Sequence, residues 1–330
     1  MIKRFLVVMM IGAVSVLAAG GNKAAGKQTG ETKADSMVYD EPVQWRIFSI
    51  DGPGVAFALQ GDLLWISSGT QVASMGIKNT KKNELTRYKA LGAVSSEGIT
   101  GIAIDKQGNV WFGGKNGVIM KNGAQFTGYT AENGLSDNTI NGIVATPDGN
   151  VWVGTDNGLN CYSAGSWKKY STGEGLASDK IQTLLVDKSG SVWAGTDKGI
   201  SVFTNGKWTT HSTKNGMSWN DTRALGLDPR NGSVWAFVGQ KDINTWNGKS
   251  WDVYMDIAPG IKSIMIDSQG RVWCASSTGL IKFNGDEWVN DPSKLGVPAK
   301  EIYQMYKDEA GNLWYGMETG VIRLENPYPH

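Results

Sequence analysis

A tryptophan returns along this chain at nearly fixed intervals. Trp65, Trp111, Trp152, Trp193, Trp235, Trp273 and Trp314 are separated by 46, 41, 41, 42, 38 and 41 residues. A period near forty marks one supersecondary unit repeated in space. The clearest copy is 181–212, IQTLLVDKSGSVWAGTDKGISVFTNGKWTTHS, where Asp187, Gly190 and Trp193 recur at spacings of three. Its first strand, 181–187, runs into the turn Lys188-Ser189-Gly190, and 191–196 is a second strand centred on Trp193. Asp197-Lys198-Gly199 turns the chain into 200–203, and Asn205-Gly206 is a strong hairpin signal before the fourth strand, 207–212.

One such sheet is too thin to bury both its faces, but stacked on copies of itself it can. Seven four-stranded units joined by short loops predict an all-β fold, a seven-bladed β-propeller of antiparallel blades. Each buried Trp removes ~200 Å² from water, or ~5 kcal/mol of gross transfer free energy before entropy is subtracted. Packing between blades is therefore the expected role of these seven residues.

The two ends of the repeat array complement each other. VQWRIFSI at 43–50 reads as an outer strand, with Trp45 standing where Trp208 stands, yet it precedes the first blade. The last unit, 301–325, has three strands and then Asn326-Pro327. The prediction is that 43–50 supplies the outer strand of the seventh blade and closes the ring, removing an unpaired edge.

Copies two to four read DKQGNVWFGGKNGV, TPDGNVWVGTDNGL and DKSGSVWAGTDKGI; the sixth and seventh read DSQGRVWCASSTGL and DEAGNLWYGMETGV. The first replaces the Asp-x-x-Gly turn with Leu59-Gln60-Gly61-Asp62 and carries a charged turn at 78–84, expected to be a solvated tip. The fifth has an extra turn residue. With the Gly-Leu-Ser/Ala run before the next inner strand, this pattern resembles the two-component-regulator propeller family over nearly all of 51–325. That resemblance implies a seven-bladed ring of the kind found in extracytoplasmic sensor regions of bacterial hybrid histidine kinases. Neither a kinase region nor a membrane span follows residue 325, so a stand-alone member is expected.

Lys3-Arg4 and the apolar run 5–19, ending in Ala18-Ala19-Gly20, read as a signal peptide over 1–20. The apolar run is shorter than the ~20 residues a membrane span needs. No Cys follows at Gly21, so the thiol that lipidation requires is missing and no lipid anchor is expected. Residues 21–40 read as a flexible tether and 41–330 as the propeller. The expected address is the periplasm or cell surface of a bacterium. The formal net charge of +1, with scattered Lys and Arg, gives no electrostatic footprint for nucleic acid. Cys161 and Cys274 fall in blades too far apart for a disulfide, and both are expected to be buried thiols.

Candidate binding residues come from one column and one loop. The second residue of each inner strand is Thr100, Asn141, Gln182, Arg223, Lys262 or Tyr303, with Ala56 in the first blade. Polar side chains there need water or a partner. They either wall a solvated channel or form a funnel for a polar ligand, with Arg223 and Lys262 favouring anionic or hydroxyl-rich groups. Trp219 belongs to no strand register; beside Asp221 and Arg223 it is either a stacking platform or a loop residue packed under its neighbours.

Catalytic and metal chemistry find little here. His330 is terminal, and His211 takes the outer-strand place of Tyr170 one repeat earlier. Asp105, Asp187, Asp228, Asp267 and Asp308 recur as turn formers. The expected function is an exported, non-enzymatic recognition or scaffold propeller, of the kind that serves as a sensor component and needing no cofactor, that binds protein or glycan at its loop-rich face and channel mouth. The alternative is a propeller lyase or hydrolase acting on a polysaccharide or peptide-like substrate.

Overall fold

The computed structural model describes residues 45–48, 54–68, 71–76, 86–88, 98–283, 285–289, 301–308, 311–317 and 320–324. The segments expected to be a signal peptide (1–20), a tether (21–40) and a charged turn (78–84) lie outside these residues. The chain forms seven four-stranded antiparallel sheets. The fourth blade shows the plan: Ile181–Val186, Val192–Thr196, Gly199–Thr204 and Lys207–His211, from the innermost strand outward. Each innermost strand contacts that of the next blade, and Gly54–Gln60 meets Ile302–Lys307 to close the circle.

The seventh blade is built from both ends of the array. Trp45–Phe48 pairs antiparallel with Gly320–Leu324, in the register Trp45↔Leu324 to Phe48↔Val321. Trp208 pairs with Phe203, the residue of its blade equivalent to Leu324, so Trp45 stands in the register expected of it.

All seven second-strand Trp residues are at most 8 % exposed. Trp152 shows why. One face of the indole stacks on Tyr170 of its own outer strand, with centroids 5.4 Å apart, and the next blade delivers Phe203 at 5.1 Å and Trp208 at 6.4 Å. Trp111 repeats the sandwich with Tyr129, then Tyr162 and Trp167. These rings are the inter-blade packing, and such aromatic pairs add to the area they bury. The glycine two residues after the Trp lets the blades approach: a Cβ on Gly154 would lie 2.5 Å from Ile181 of the next inner strand.

The recurrent Asp does more than shape its turn. Asp105 Oδ1 accepts from the Gln107 and Asn109 backbone N–H groups, while Oδ2 accepts from Trp111 Nε1 at 2.8 Å. Asp187, Asp267 and Asp308 receive Trp193, Trp273 and Trp314 at 2.8, 3.1 and 2.9 Å. A buried indole N–H without an acceptor would be costly, so the Asp makes the Trp affordable in the core. Hydrogen bonds from Ser189 and Trp193 hold the Asp187 carboxyl below its usual range, against the opposing effect of burial.

His211 occupies the place of Tyr170, as expected: His211 pairs with Ile200 as Tyr170 pairs with Leu159. The imidazole stacks on Trp193, 5.5 Å away and 4° from parallel, and accepts at Nδ1 from Trp251 Nε1 at 3.3 Å. Burial holds its pKa below the ordinary imidazole value of about 6.5. The unfolded chain therefore takes up this proton before the folded one does. The contribution is fully present above pH 6.5 and is lost as pH falls from there through the folded-state pKa. Thermal unfolding measured from pH 7.5 down to 5 should show a fall in Tm that His211→Phe flattens; an unchanged slope in that variant would contradict the assignment.

Cys161 and Cys274 are free and buried. Burial pushes the Cys161 thiol up to about 11 and raises that of Cys274 as well, so both remain protonated thiols.

Candidate functional site

Two sets of loops share one face. The connections from an outer strand to the next blade bond to the turns between second and third strands: Gly158 N donates to Asp179 O at 2.6 Å, Gly239 N to Asp221 O at 2.7 Å and Ser277 N to Gly260 O at 3.3 Å. The Gly-Leu-Ser/Ala run explains how the connections are fixed. Leu135, Leu176 and Met217 are buried, and the following backbone N–H donates to a third-strand side chain: Ser136 to Asn160, Ala177 to Ser201, Ser218 to Asn244. Ser171 and Ser212 cap the single turns Thr172–Glu174 and Thr213–Asn215 within these connections.

The polar column coincides with a backbone irregularity. In six blades the register of the innermost strand shifts at the column residue, as between Ile181 and Thr183, where Gln182 is the extra residue. A β-bulge re-aims its extra side chain. In the first blade the shift falls between Gly54 and Ala56, so Val55 holds this position and Ala56 is a buried core residue, a correction to its place in the column.

Most column side chains latch onto the next blade. Thr100 Oγ1 donates to Ile140 O at 3.0 Å, and Asn141 Nδ2 donates to Ile181 O at 2.9 Å and to Asp156 Oδ1 at 2.8 Å. Gln182 Nε2 donates to Asp221 Oδ1 at 2.6 Å. The Lys262 ammonium pairs with Glu301 and lies 4.5 Å over the Tyr303 ring. That hydrogen bond holds the Glu301 carboxyl below its usual range.

Arg223 departs from this pattern, turning back to Asp221, whose Oδ2 accepts from Nε and Nη2 at 2.8 Å. The fork leaves the Arg223 side chain 53 % exposed. Trp219 lies against Gly239, where an added Cβ would be 2.8 Å from the indole, and is still 59 % exposed. One face of Trp219 is thus packed and the rest is presented. The backbone bond from Gly239 to Asp221 joins Trp219 to the Gln182–Asp221–Arg223 chain. Of the seven candidates, four form this connected group; Lys262 with Tyr303 forms a second, and Asn141 with Asp156 a third. Among the described residues no cluster of His, Cys, Asp and Glu is suited to a metal ion, and no helix is long and apolar enough to cross a membrane.

Residues 93–116 and 134–157 match the family model described as two component regulator propeller. No curated protein matches the sequence. Among solved structures, the chain is similar to the extracellular domain of BT3049 from B. thetaiotaomicron, assigned as a hybrid two component system: 17% identity, TM-score 0.70, 87% of this chain and 41% of that one. It is also similar to a catalytically inactive His-to-Ala variant of virginiamycin B lyase from Staphylococcus aureus with quinupristin: 14% identity, TM-score 0.69, covering 86% and 99%. A third is PorZ, a surface component of the type-IX secretion system of Porphyromonas gingivalis: 16% identity, TM-score 0.64, covering 82% and 46%. The chain spans about two-fifths of the BT3049 structure. At these identities the likeness is one of fold. Repeat and ring agree that this chain is a seven-bladed propeller, and the family model places two-component-regulator propeller repeats at 93–116 and 134–157.

Proposed function

We propose that this chain is an exported recognition propeller, a sensor-type module of the bacterial periplasm or cell surface, that binds protein or glycan around Trp219. The observation that carries this reading is an indole more than half exposed on the loop-bearing face, next to a guanidinium held by Asp221. A rigid aromatic plate beside an oriented Arg offers stacking and directional hydrogen bonds with little side-chain entropy to lose. Asn141, Gln182, Lys262 and Tyr303 extend a polar rim toward the channel. The basic residues 3–4 and the apolar run that follows support export, and the extracellular domains among the neighbours support a sensing role.

The lyase reading has less to rest on. The inactive lyase variant lacks a histidine, whereas His211 here lies on an outer strand among Trp193, Trp246 and Trp251. Thermal-shift screening of oligosaccharides and peptides should find a ligand whose stabilisation is lost in Trp219→Ala and weakened in Arg223→Ala. A ligand that stabilises wild type and both variants equally would place binding elsewhere.

A further inference from the structure

Four blades couple Asp to Trp. In the first, Trp65 donates to Gln60 instead; in the fifth, Asp228 is taken by Arg230 and Trp235 Nε1 has no partner; the third has no Asp at this place. Thr146 stands six residues before Trp152, where Asp105, Asp187, Asp267 and Asp308 stand before their own Trp residues. Its hydroxyl turns away, donating to Asp148 and to Asn150 O. No described residue accepts from Trp152 Nε1, although Trp152 is only 3 % exposed. At the same place lies a cleft of about 500 Å³ between the third and fourth blades, lined by Thr146, Asp148, Trp152, Ser191, Phe203 and Thr204. It opens among first-to-second and third-to-fourth strand turns, at the end of the blades away from Trp219.

We propose that this cleft binds a small polyhydroxylated molecule of mono- or disaccharide size, with a ligand hydroxyl accepting from the Trp152 indole N–H. Its volume lies within the range of small-molecule sites. Half-buried Phe203 gives an apolar wall for the C–H face of a sugar ring, while the Trp152 indole, its faces covered by Tyr170, Phe203 and Trp208, offers only its N–H edge. The walls mix donors and acceptors: Ser189 and Ser191 share a hydrogen bond at 2.8 Å, Thr204 Oγ1 donates to Ser191 Oγ at 2.8 Å, and Asp148 presents a carboxylate. A hydroxyl both donates and accepts, so it can join such a network at any point. The carboxylate of Asp148 and the exposed ammonium of Lys188, which also lines the cleft, have opposite signs and give no bias toward an ion. An N–H at the cleft wall without an acceptor in the protein also discriminates, because a ligand lacking an acceptor displaces its water and leaves it unpaired.

The test uses the repeat itself. Thr146→Asp with Asp148→Ser gives the third blade the Asp-x-Ser-Gly turn of the fourth, supplying the indole with its acceptor. Isotope-edited NMR of the indole N–H groups, with the Trp152 signal assigned from Trp152→Phe, is followed during titration with maltose, cellobiose, lactose and sucrose. Glycine and inorganic phosphate serve as controls. The expected result is that at least one disaccharide shifts the Trp152 signal saturably in wild type and in Trp219→Ala. In the double variant Tm rises and affinity falls about tenfold or more, the scale of one lost directional contact. Saturation by glycine or phosphate instead, no shift with any sugar up to tens of millimolar, or sugar binding undiminished in the double variant would each overturn the proposal. Retention in Trp219→Ala separates this cleft from the loop-bearing face, so either site can fail without the other.

Discussion

A chain beginning at residue 51 should unfold at least ~10 °C below one beginning at residue 41. The shorter chain lacks Trp45–Phe48, leaving Gly320–Leu324 as an unpaired edge. The lost ladder and the burial it protects are worth on the order of 5 kcal/mol, at ~1 kcal/mol net per hydrogen bond and ~2 kcal/mol per apolar side chain uncovered. Val321, Ile322 and Leu324 are all buried in the intact blade. For a domain of this size each kcal/mol moves Tm by about 2–4 °C. An open edge also invites pairing between chains, so the shorter protein should aggregate on heating. Differential scanning calorimetry with light scattering reads both effects. Equal Tm values would mean that the seventh blade does not depend on its borrowed strand.

Trp111→Ala should be the most damaging single substitution in the second blade. The side chain is fully buried and touches Tyr129, Tyr162 and Trp167, so its removal opens a cavity costing ~3–5 kcal/mol. Asp105→Ala should cost less, ~1–3 kcal/mol, because it removes the acceptor from Trp111 Nε1 and from two turn amides while leaving the rings in place. Trp111→Phe removes the donor, so Asp105→Ala on that background should cost less than on wild type. Urea unfolding of the four proteins gives the coupling directly, and strict additivity would contradict a shared Asp–Trp bond.

What the sequence revealed, and what it did not, follows from how far each feature depends on the whole ring. The Trp period and the orphan strand at 43–50 are local patterns, and both led to the observed blades and closure. The column from Thr100 to Tyr303 was legible as polar residues in apolar strands. That most of them reach the next blade was not, because partners 39 or 40 residues away are set by the curvature of the ring. Ala56 was misplaced by one because a bulge inserts a residue without a sequence signature of its own. The Asp residues were read as turn formers, which they are, but in four of the five the second oxygen serves an indole, and in Asp228 it serves Arg230. The signal was present nonetheless, in the separation of six residues shared by four blades and in Thr146 standing at that place in the third. Trp219 stood out for matching no strand, yet whether it was presented or covered depended on Gly239 across a neighbouring turn.

A circle of seven sheets held shut by its first strand is tested most directly by hydrogen exchange on the chain from residue 41. A closed ring predicts that amides in 45–48 and 320–324 are protected as strongly as those in 313–317 and are released together with them in denaturant. Rapid exchange throughout 45–48 beside a protected 313–317 would contradict closure by that strand.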